Sequence, residues 1–326
     1  MTTQLRIAPA LLLCFAVAGC SHGTSSSNAQ PTAAVASAGS VVPGAKTIGV
    51  SIQNREAQFY QDMEAGMRAE ASKYGYNLIV VDANRDNAKQ QSQVEDFVSK
   101  KADAIVLTPY DSQAIGSAIV EANNAGIPVF TADIASTSSE GKVVAHIASD
   151  NVQGGFQAGK LICQAVGKSG GTVAIVDEPE VTSVQDRVKG FKQALTQLCP
   201  GVAVVADVDS GGTRTKASSD TGDILQAHKN LSGIFGINDD SALGAVTAVK
   251  AAGLTGKVAI VGYDATPEAR AAIAAGTMYG DAIQSPKTIG ATTIDVIHDY
   301  FAGKTSPAPV VKIAVGTFTQ ADAKKP

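Results

Sequence analysis

The stretch Gly233-Ile234-Phe235-Gly236-Ile237-Asn238-Asp239 is an apolar run that stops at an amide and an acid, after which a helical pattern begins. The same arrangement recurs along the chain. Leu78–Val81 runs into Asp82, Pro128–Thr131 into Asp133, Val173–Val176 into Asp177, and Val258–Val261 into Asp264. Short continuous apolar runs are how strands buried on both faces of a parallel sheet read. In open α/β sheets the ligand crevice lies at the carboxyl ends of those strands. Acids and amides at one strand end after another line a pocket for a molecule rich in hydroxyl groups, which points to a sugar or polyol.

Outward from that stretch, strands and helices alternate with short turns. Thr47–Ile52 reads as the first strand, and the helix over Gln58–Tyr74 carries Phe59, Met63, Met67 and Ala71 on one apolar stripe. Strand Asn77–Val81, helix Asn87–Lys101, strand Ala104–Leu107, helix Ser112–Asn124 and strand Ile127–Thr131 follow. After the Ser/Thr-rich loop Ser136–Gly141 and a strand-like Val143–Ala148, the pattern restarts with helix Gln153–Val166 and strand Thr172–Val176. It continues through helix Ser183–Leu198, strand Met278–Ile283 and helix Pro286–Phe301 to a last strand near Val310–Val315. Gly75, Gly126 and Gly253 sit just past helices, where a left-handed cap is wanted. Such alternation predicts βαβ units and parallel sheets, and the number of strands suits two doubly wound lobes sharing a cleft.

The N-terminus reads as a targeting segment. Met1–Pro9 carries only Arg6 as a charge, Ala10–Ala18 is apolar but too short to span a bilayer, and Val17-Ala18-Gly19-Cys20 matches a lipoprotein cleavage site. An ordinary cleaved signal with an incidental Cys20 is the alternative. Residues 1–19 are thus expected to be removed and Cys20 lipidated, which makes the mature protein an extracytoplasmic, membrane-anchored lipoprotein of the periplasm or cell surface. Residues 20–45 are rich in Ser, Ala, Gly and Pro and read as a flexible tether. Net charge is −4 with no basic cluster, so nucleic acid is not an expected partner. Cys163 and Cys199 each fall near a helix end; an exported protein permits a disulfide between them, and two buried free thiols are the alternative.

Catalytic and metal-binding signatures are weak. Gly154–Lys160 fits the start of a phosphate-binding loop, but Leu161 stands where a Ser or Thr must hold magnesium, and the stretch lies inside a predicted helix. No glycine fingerprint for a dinucleotide opens the first turn after a strand. The four His residues, 22, 146, 228 and 298, have no ligand spacing, so neither metal nor cofactor is expected. Asp133 and Asp264 could be imagined as a glycosidase pair, although a lone strand-end Asp more often only caps the next helix.

Several segments together resemble the ribose-binding-protein branch of periplasmic sugar-binding proteins, the type I solute receptors of ABC importers. They are Lys-Tyr-Gly-Tyr-Asn-Leu (73–78), Asn-Asn-Ala-Gly-Ile-Pro-Val (123–129) and His-Ile-Ala-Ser-Asp-Asn (146–151). Asp-Arg-Val-Lys-Gly-Phe (186–191), Asn-Asp-Asp-Ser-Ala-Leu-Gly-Ala (238–245) and Val-Gly-Tyr-Asp-Ala-Thr-Pro (261–267) complete the set. The resemblance implies two lobes joined by a hinge of three crossings: 46–147 plus 285–313, and 148–284 plus 314–326. It implies a monomeric, non-enzymatic receptor that closes on a monosaccharide or sugar alcohol and docks on an ABC permease. Delivery to a chemoreceptor or histidine kinase as a sensor is the alternative. The effector domain of a lac-repressor-type regulator shares the fold but needs a helix-turn-helix where this chain has a signal and tether.

Position by position, the resemblance makes Phe59 and Tyr60 the aromatic pair on the sugar ring and Asp133 the first-lobe carboxylate. It makes Arg187, Asn238 and Asp264 second-lobe hydroxyl ligands and Gln284 the hinge amide. The residue types suit those roles, because a carboxylate accepts from neighbouring hydroxyls and an Arg fork donates in a fixed plane. The chain departs from ribose binders at Ile134, where they carry an Arg, at Ala57 for an Asn, and at Gly212 for an aromatic. These changes predict a roomier pocket that lost a planar donor, a best ligand other than ribose, and polar contacts made up by Asn54, Arg55, Glu56 or Gln58.

Overall fold

The computed structural model describes residues 44–167, 170–304 and 308–325. The expected signal, Cys20 and the tether up to residue 43 lie outside the described residues. The chain starts with β1 (Thr47–Ile52), α1 (Gln58–Lys73), β2 (Asn77–Asp82), α2 (Asn87–Ser99), β3 (Ala104–Leu107), α3 (Gly116–Asn124), β4 (Val129–Ala132) and β5 (Val143–Ser149). A second series runs α4 (Asn151–Val166), β6 (Gly171–Asp177), α5 (Thr182–Leu198), β7 (Val202–Asp209), α6 (Arg214–Ala227) and β8 (Leu231–Gly236). It ends with α7 (Asp239–Ala251), β9 (Ala259–Asp264), α8 (Pro267–Ala274) and β10 (Gly280–Ile283). Then come α9 (Pro286–Phe301), β11 (Val310–Ile313), β12 (Gly316–Thr319) and α10 (Gln320–Ala323).

Two six-stranded sheets result, ordered β11-β5-β4-β3-β1-β2 and β12-β10-β9-β8-β6-β7. All neighbours are parallel except β10 and β12. The two orders are the same doubly wound pattern, which reverses beside β1 in one sheet and beside β6 in the other. In the first lobe α1 and α9 cover one face, packing Met63, Met67, Ile289 and Ile294 on Ile48, Val50 and Val106. On the other face, Val94 and Phe97 of α2 and Ile119 of α3 meet Ile105, Leu107 and Val129. The second lobe repeats this, with α4 and α5 on one face and α6, α7 and α8 on the other.

The chain passes between sheets after β5, after β10 and after β11. The expected single strand near 310–315 is instead two: β11 extends the first sheet in parallel with β5, and β12 turns back antiparallel on β10. Helix starts are set by caps. Asp150 accepts from the amide of Gln153, so α4 begins at Asn151 rather than Gln153. Gly75, Gly126 and Gly253 all have positive φ, as expected past a helix end.

The glycines that mimic a phosphate loop have a packing role inside α4. A Cβ on Gly155 would lie 1.9 Å from the Arg187 carbonyl, and one on Gly190 of α5 would lie 2.0 Å from the Val152 carbonyl. Helices α4 and α5 therefore touch backbone to backbone. The same pair is joined covalently, because Cys163 and Cys199 form a disulfide with Cα atoms 5.7 Å apart. The bridge closes a loop of 36 residues. By chain entropy a loop of that size contributes about 3–4 kcal/mol. Reduction, or the double variant C163S/C199S, should lower unfolding stability by about that amount in denaturant titrations; a loss below about 1 kcal/mol would show that the denatured chain is already compact.

Candidate ligand-binding cleft

One cleft lies where the carboxyl ends of both sheets face each other. The first lobe contributes Gln53, Ala57, Phe59, Tyr60, Arg85, Asp133 and Ile134. Facing them are Glu178, Val181, Ser183, Val184, Arg187, Asn238 and Asp264, and Gln284 stands at the second crossing. The lobes are closed on each other. At the rim the Thr182 amide donates to the Ser112 hydroxyl (3.1 Å), and the Ala135 amide donates to the Thr182 hydroxyl (3.0 Å).

Arg187 is the centre of the second-lobe wall. Its side chain leaves α5 only 5% exposed, with Nε donating to Asn151 Oδ1 (3.0 Å) and Nη1 to the Ile237 carbonyl (2.9 Å). The guanidinium lies 4.1 Å from the centre of the Tyr263 ring, whose hydroxyl also donates to Asn151 Oδ1. Burial opposes its charge, but Tyr263, Asp264 and Asp133 more than compensate and hold its pKa above the usual arginine range. Asp264 ends β9 at φ 120°, and its Oδ1 accepts from Gln284 Nε2 at 2.7 Å. Asn238 lines the cleft while capping α7: its Oδ1 accepts from the Ser241 amide, and Nδ2 donates to the Gly212 carbonyl.

On the first-lobe wall, Phe59 and Tyr60 pack edge to face with centroids 5.2 Å apart. Both also belong to the lobe's apolar core, and Tyr60 is as deeply buried as its neighbour despite lying off the helix stripe. The Tyr60 hydroxyl donates to Gln53 Oε1 (2.8 Å) and lies 3.4 Å from Asp133 Oδ2. Asp133 has φ 64°, in a tight turn closed by the Ile134 amide on the Ala132 carbonyl (2.7 Å). Burial raises its pKa, while Arg187 and Tyr60 act in the opposite direction. Asp133 Oδ1, Gln284 Oε1 and Arg85 Nε are buried with no hydrogen-bond partner among the described residues.

The cleft thus brings together Phe59, Tyr60, Asp133, Ile134, Arg187, Asn238, Asp264 and Gln284 from the sequence reading. Ile134 supplies no polar contact and packs into the second lobe's apolar cluster with Val181 and Val184. Four residues expected to supply polar contacts do not line this cleft. Asn54 is buried but committed locally, its Oδ1 accepting from the amides of Glu56 and Ala57 at the head of α1. Glu56 and Gln58 face a neighbouring depression with Arg214, Asp240 and Glu268. Arg55 turns back to Glu64 and the Val80 carbonyl.

The sequence reading missed Gln53, Arg85 and Glu178. Strand β6 carries its apolar run into Asp177, but its alternation turns that acid toward Asp207 on β7. Burial, with Asp207 beside it, raises Asp177 to about 7. The next residue, Glu178, reaches the cleft, where Arg85 and Gln53 donate to its Oε1, each at 3.2 Å. The expectation of added room at Gly212 is also overturned: Gly212 has φ +61°, and a Cβ there would sit 2.3 Å from Glu178 Oε2. A guanidinium does line the first-lobe wall, but it comes from another loop, on Arg85.

Behind Asp264 lies a second row of acids. Asp239 and Asp281 are buried side by side, and the Thr266 amide donates to Asp239 Oδ2. Burial raises Asp239 to about 6 and Asp281 and Asp264 well above the usual range; for the latter two, the Asp239 charge adds to burial. Adjacent buried carboxylates cannot all ionise, so protons are retained among them.

The residues 48–305 match the model of the periplasmic binding protein domain family. The chain belongs to that family. It is 33% identical over 258 residues to the ribose import binding protein RbsB of Bacillus subtilis (strain 168), covering 79% of this chain and 82% of the relative. Among solved structures it is similar to a periplasmic solute-binding protein of an ABC transporter from Actinobacillus succinogenes 130z with bound D-allose. That likeness has a TM-score of 0.79 and 30% identity, and covers 86% of this chain and 99% of the other. It is also similar to an ABC transporter solute-binding protein from Bacillus halodurans C-125 with bound myo-inositol. There the TM-score is 0.78 at 28% identity, covering 88% and 98%. Membership makes the protein a substrate-binding protein, not an enzyme.

The acid row behind the cleft has a measurable signature. A carboxyl whose folded pKa exceeds its unfolded value favours folding below the unfolded pKa, and that contribution is lost as pH rises through the folded one. For Asp239 the window runs from about 4 to about 6. Replacing its neighbour by Asp281→Asn should therefore stabilise the protein by about 1–3 kcal/mol at pH 8 and change little at pH 4, measured by denaturant unfolding at both. Equal effects at the two pH values would mean that the pair holds no extra proton.

Proposed function

We propose that the protein captures a monosaccharide or sugar alcohol in this cleft by lobe closure and delivers it to an ABC importer outside the cytoplasm. In this reading Cys20 holds it to the membrane through a lipid. The observation that carries the reading is the convergence of buried, unpartnered polar atoms on one space: Asp133 Oδ1, Gln284 Oε1 and Arg85 Nε. Buried polar groups are nearly always paired, so such a set marks where a polyhydroxylated ligand supplies the missing partners. The aromatic faces of Phe59 and Tyr60 suit the C–H surface of a sugar ring. The names of its relatives, which bind ribose, D-allose and myo-inositol, support the same class.

Ribose is not the best ligand in this reading. The apolar Ile134 and the charged Arg85–Glu178 pair give the cleft a different set of donors and acceptors from the one the ribose binders' Arg and aromatic would supply. A different pentose, a hexose or a sugar alcohol is the ligand.

Two measurements test these statements. In a thermal-shift panel of pentoses, hexoses and polyols, a ligand at a hundred times its dissociation constant should stabilise by about 2.7 kcal/mol. No stabiliser in the panel would defeat the function, and ribose as the strongest would defeat only the specificity. Asp264→Asn and Arg187→Met should each weaken the panel's best ligand about 10- to 100-fold in calorimetry, the worth of a charged hydrogen bond, with unchanged circular dichroism. Unaltered affinity in both would remove these residues from the site.

A further inference from the structure

Arg85 and Glu178 stand apart from the other cleft residues because they bind each other across it. Arg85 follows β2 in a turn where Asn84 (φ 53°) and Arg85 itself (φ 56°) are both left-handed. An arginine rarely adopts that conformation, and strained residues of this kind gather at ligand clamps. The turn is held by the Asn84 amide on Asp82 Oδ1 (2.7 Å) and the Arg85 amide on the Gln53 carbonyl (2.9 Å). It aims the side chain across the cleft. Nη1 donates to Glu178 Oε1 (3.2 Å) and to the Gly211 carbonyl (2.7 Å), both on the second lobe.

The second lobe is shaped to receive it. Gly211 and Gly212 are both left-handed, and the Gly211 amide donates to Asp209 Oδ1 (2.8 Å). This turn presents the Gly211 carbonyl, and the missing side chain at Gly212 leaves the space that Glu178 fills. Glu178 is 4% exposed and is held to the first lobe twice, by Arg85 Nη1 and by Gln53 Nε2. The rim contacts between lobes at Ser112, Ala135 and Thr182 are neutral, whereas this one is a partly buried ion pair at the cleft. Arg85 Nε remains buried and unpartnered at the cleft wall.

We infer that Arg85 and Glu178 form a charged latch that stabilises the closed lobes and that Arg85 Nε reads one ligand hydroxyl, selecting sugars or polyols that keep an oxygen there over their deoxy analogues. The second half rests on the sugar-binding reading given above, and the first does not. A latch made by protein atoms alone favours closure before any ligand arrives, so it raises affinity for every ligand that fits. The Nε contact adds selectivity, because a deoxy analogue leaves a buried charged donor without a partner.

The latch is tested on the full mature protein, unfolded, dialysed free of small molecules and refolded. Small-angle scattering should give larger radii of gyration for Arg85→Met and Glu178→Gln than for the wild type, with the double variant no larger than the greater single. Identical radii in all four proteins overturn the latch. The contact is tested by calorimetry with D-ribose, D-allose and myo-inositol, each beside its monodeoxy analogues. The wild type should disfavour one analogue by about 10- to 100-fold, and Arg85→Met should shrink that ratio to about twofold. An unchanged ratio in Arg85→Met, with Asp264→Asn still weakening all ligands, overturns the contact and leaves the sugar-binding reading standing. Wild-type protein that binds none of these probes overturns the contact together with that reading, and the scattering still decides the latch.

Discussion

The burial of the Arg187 guanidinium where the two lobes meet is the constraint on which the rest of the cleft depends. A buried charge is tolerated only when it is paired and hydrogen-bonded, and removing one partner is strongly destabilising. The fold meets this demand from every side. Asn151 at the head of α4 and the Ile237 carbonyl at the end of β8 take its donors, and Tyr263 of β9 lies against its face. The helix that carries it could not come so close if Gly155 had a side chain. The balancing acids are Asp264 on the same lobe and Asp133 on the other, so the electrostatic demand of one residue ties both lobes to one space.

The same demand explains the unusual backbone at the cleft. Asp133, Asp264 and Arg85 all have positive φ, which costs free energy for residues with side chains. Each stands just past the carboxyl end of a strand or at its last residue, where the chain must turn and a side chain must still point inward. Regular β geometry would send alternate residues to opposite faces of the sheet, into the apolar cores. A left-handed residue breaks that alternation and sends the polar group along the strand axis into the cleft. Asp177, which keeps its place in β6, shows the alternative: it stays beside Asp207 with a raised pKa, and its neighbour Glu178 enters the cleft.

This difference also separates what was legible in the sequence from what was not. The parallel sheets were legible because central strands buried on both faces admit only apolar residues, and runs such as Val173–Val176 carry that directly. Asp133, Asn238 and Asp264 were legible because they follow such runs. Arg187, Phe59, Tyr60 and Gln284 came from the resemblance alone, since a helix residue or a loop amide bears no mark of the cleft it faces. Asn54 misled for a physical reason: an amide after a strand serves the local turn as well as any ligand, and here it holds the turn that leads into α1. Arg85 and Glu178 were hidden because their pairing spans 93 residues and depends on a left-handed turn and on the space at Gly212, neither of which has a local signal.

Closure and recognition are therefore parts of one electrostatic arrangement. The cleft holds two guanidiniums, Arg85 and Arg187, facing three carboxyl groups, Asp133, Glu178 and Asp264, and burial biases each of those acids toward its neutral form. Adding a net charge to this cleft would leave that charge without a counterpart among largely buried groups. A neutral ligand that both donates and accepts disturbs the balance least, and a hydroxyl group does both. Each lobe alone exposes its half of the set to water, where those hydrogen bonds are worth little. Only the closed form dries the cleft and makes them strong, so differential affinity for the closed state, and hence capture, follows from the same buried groups.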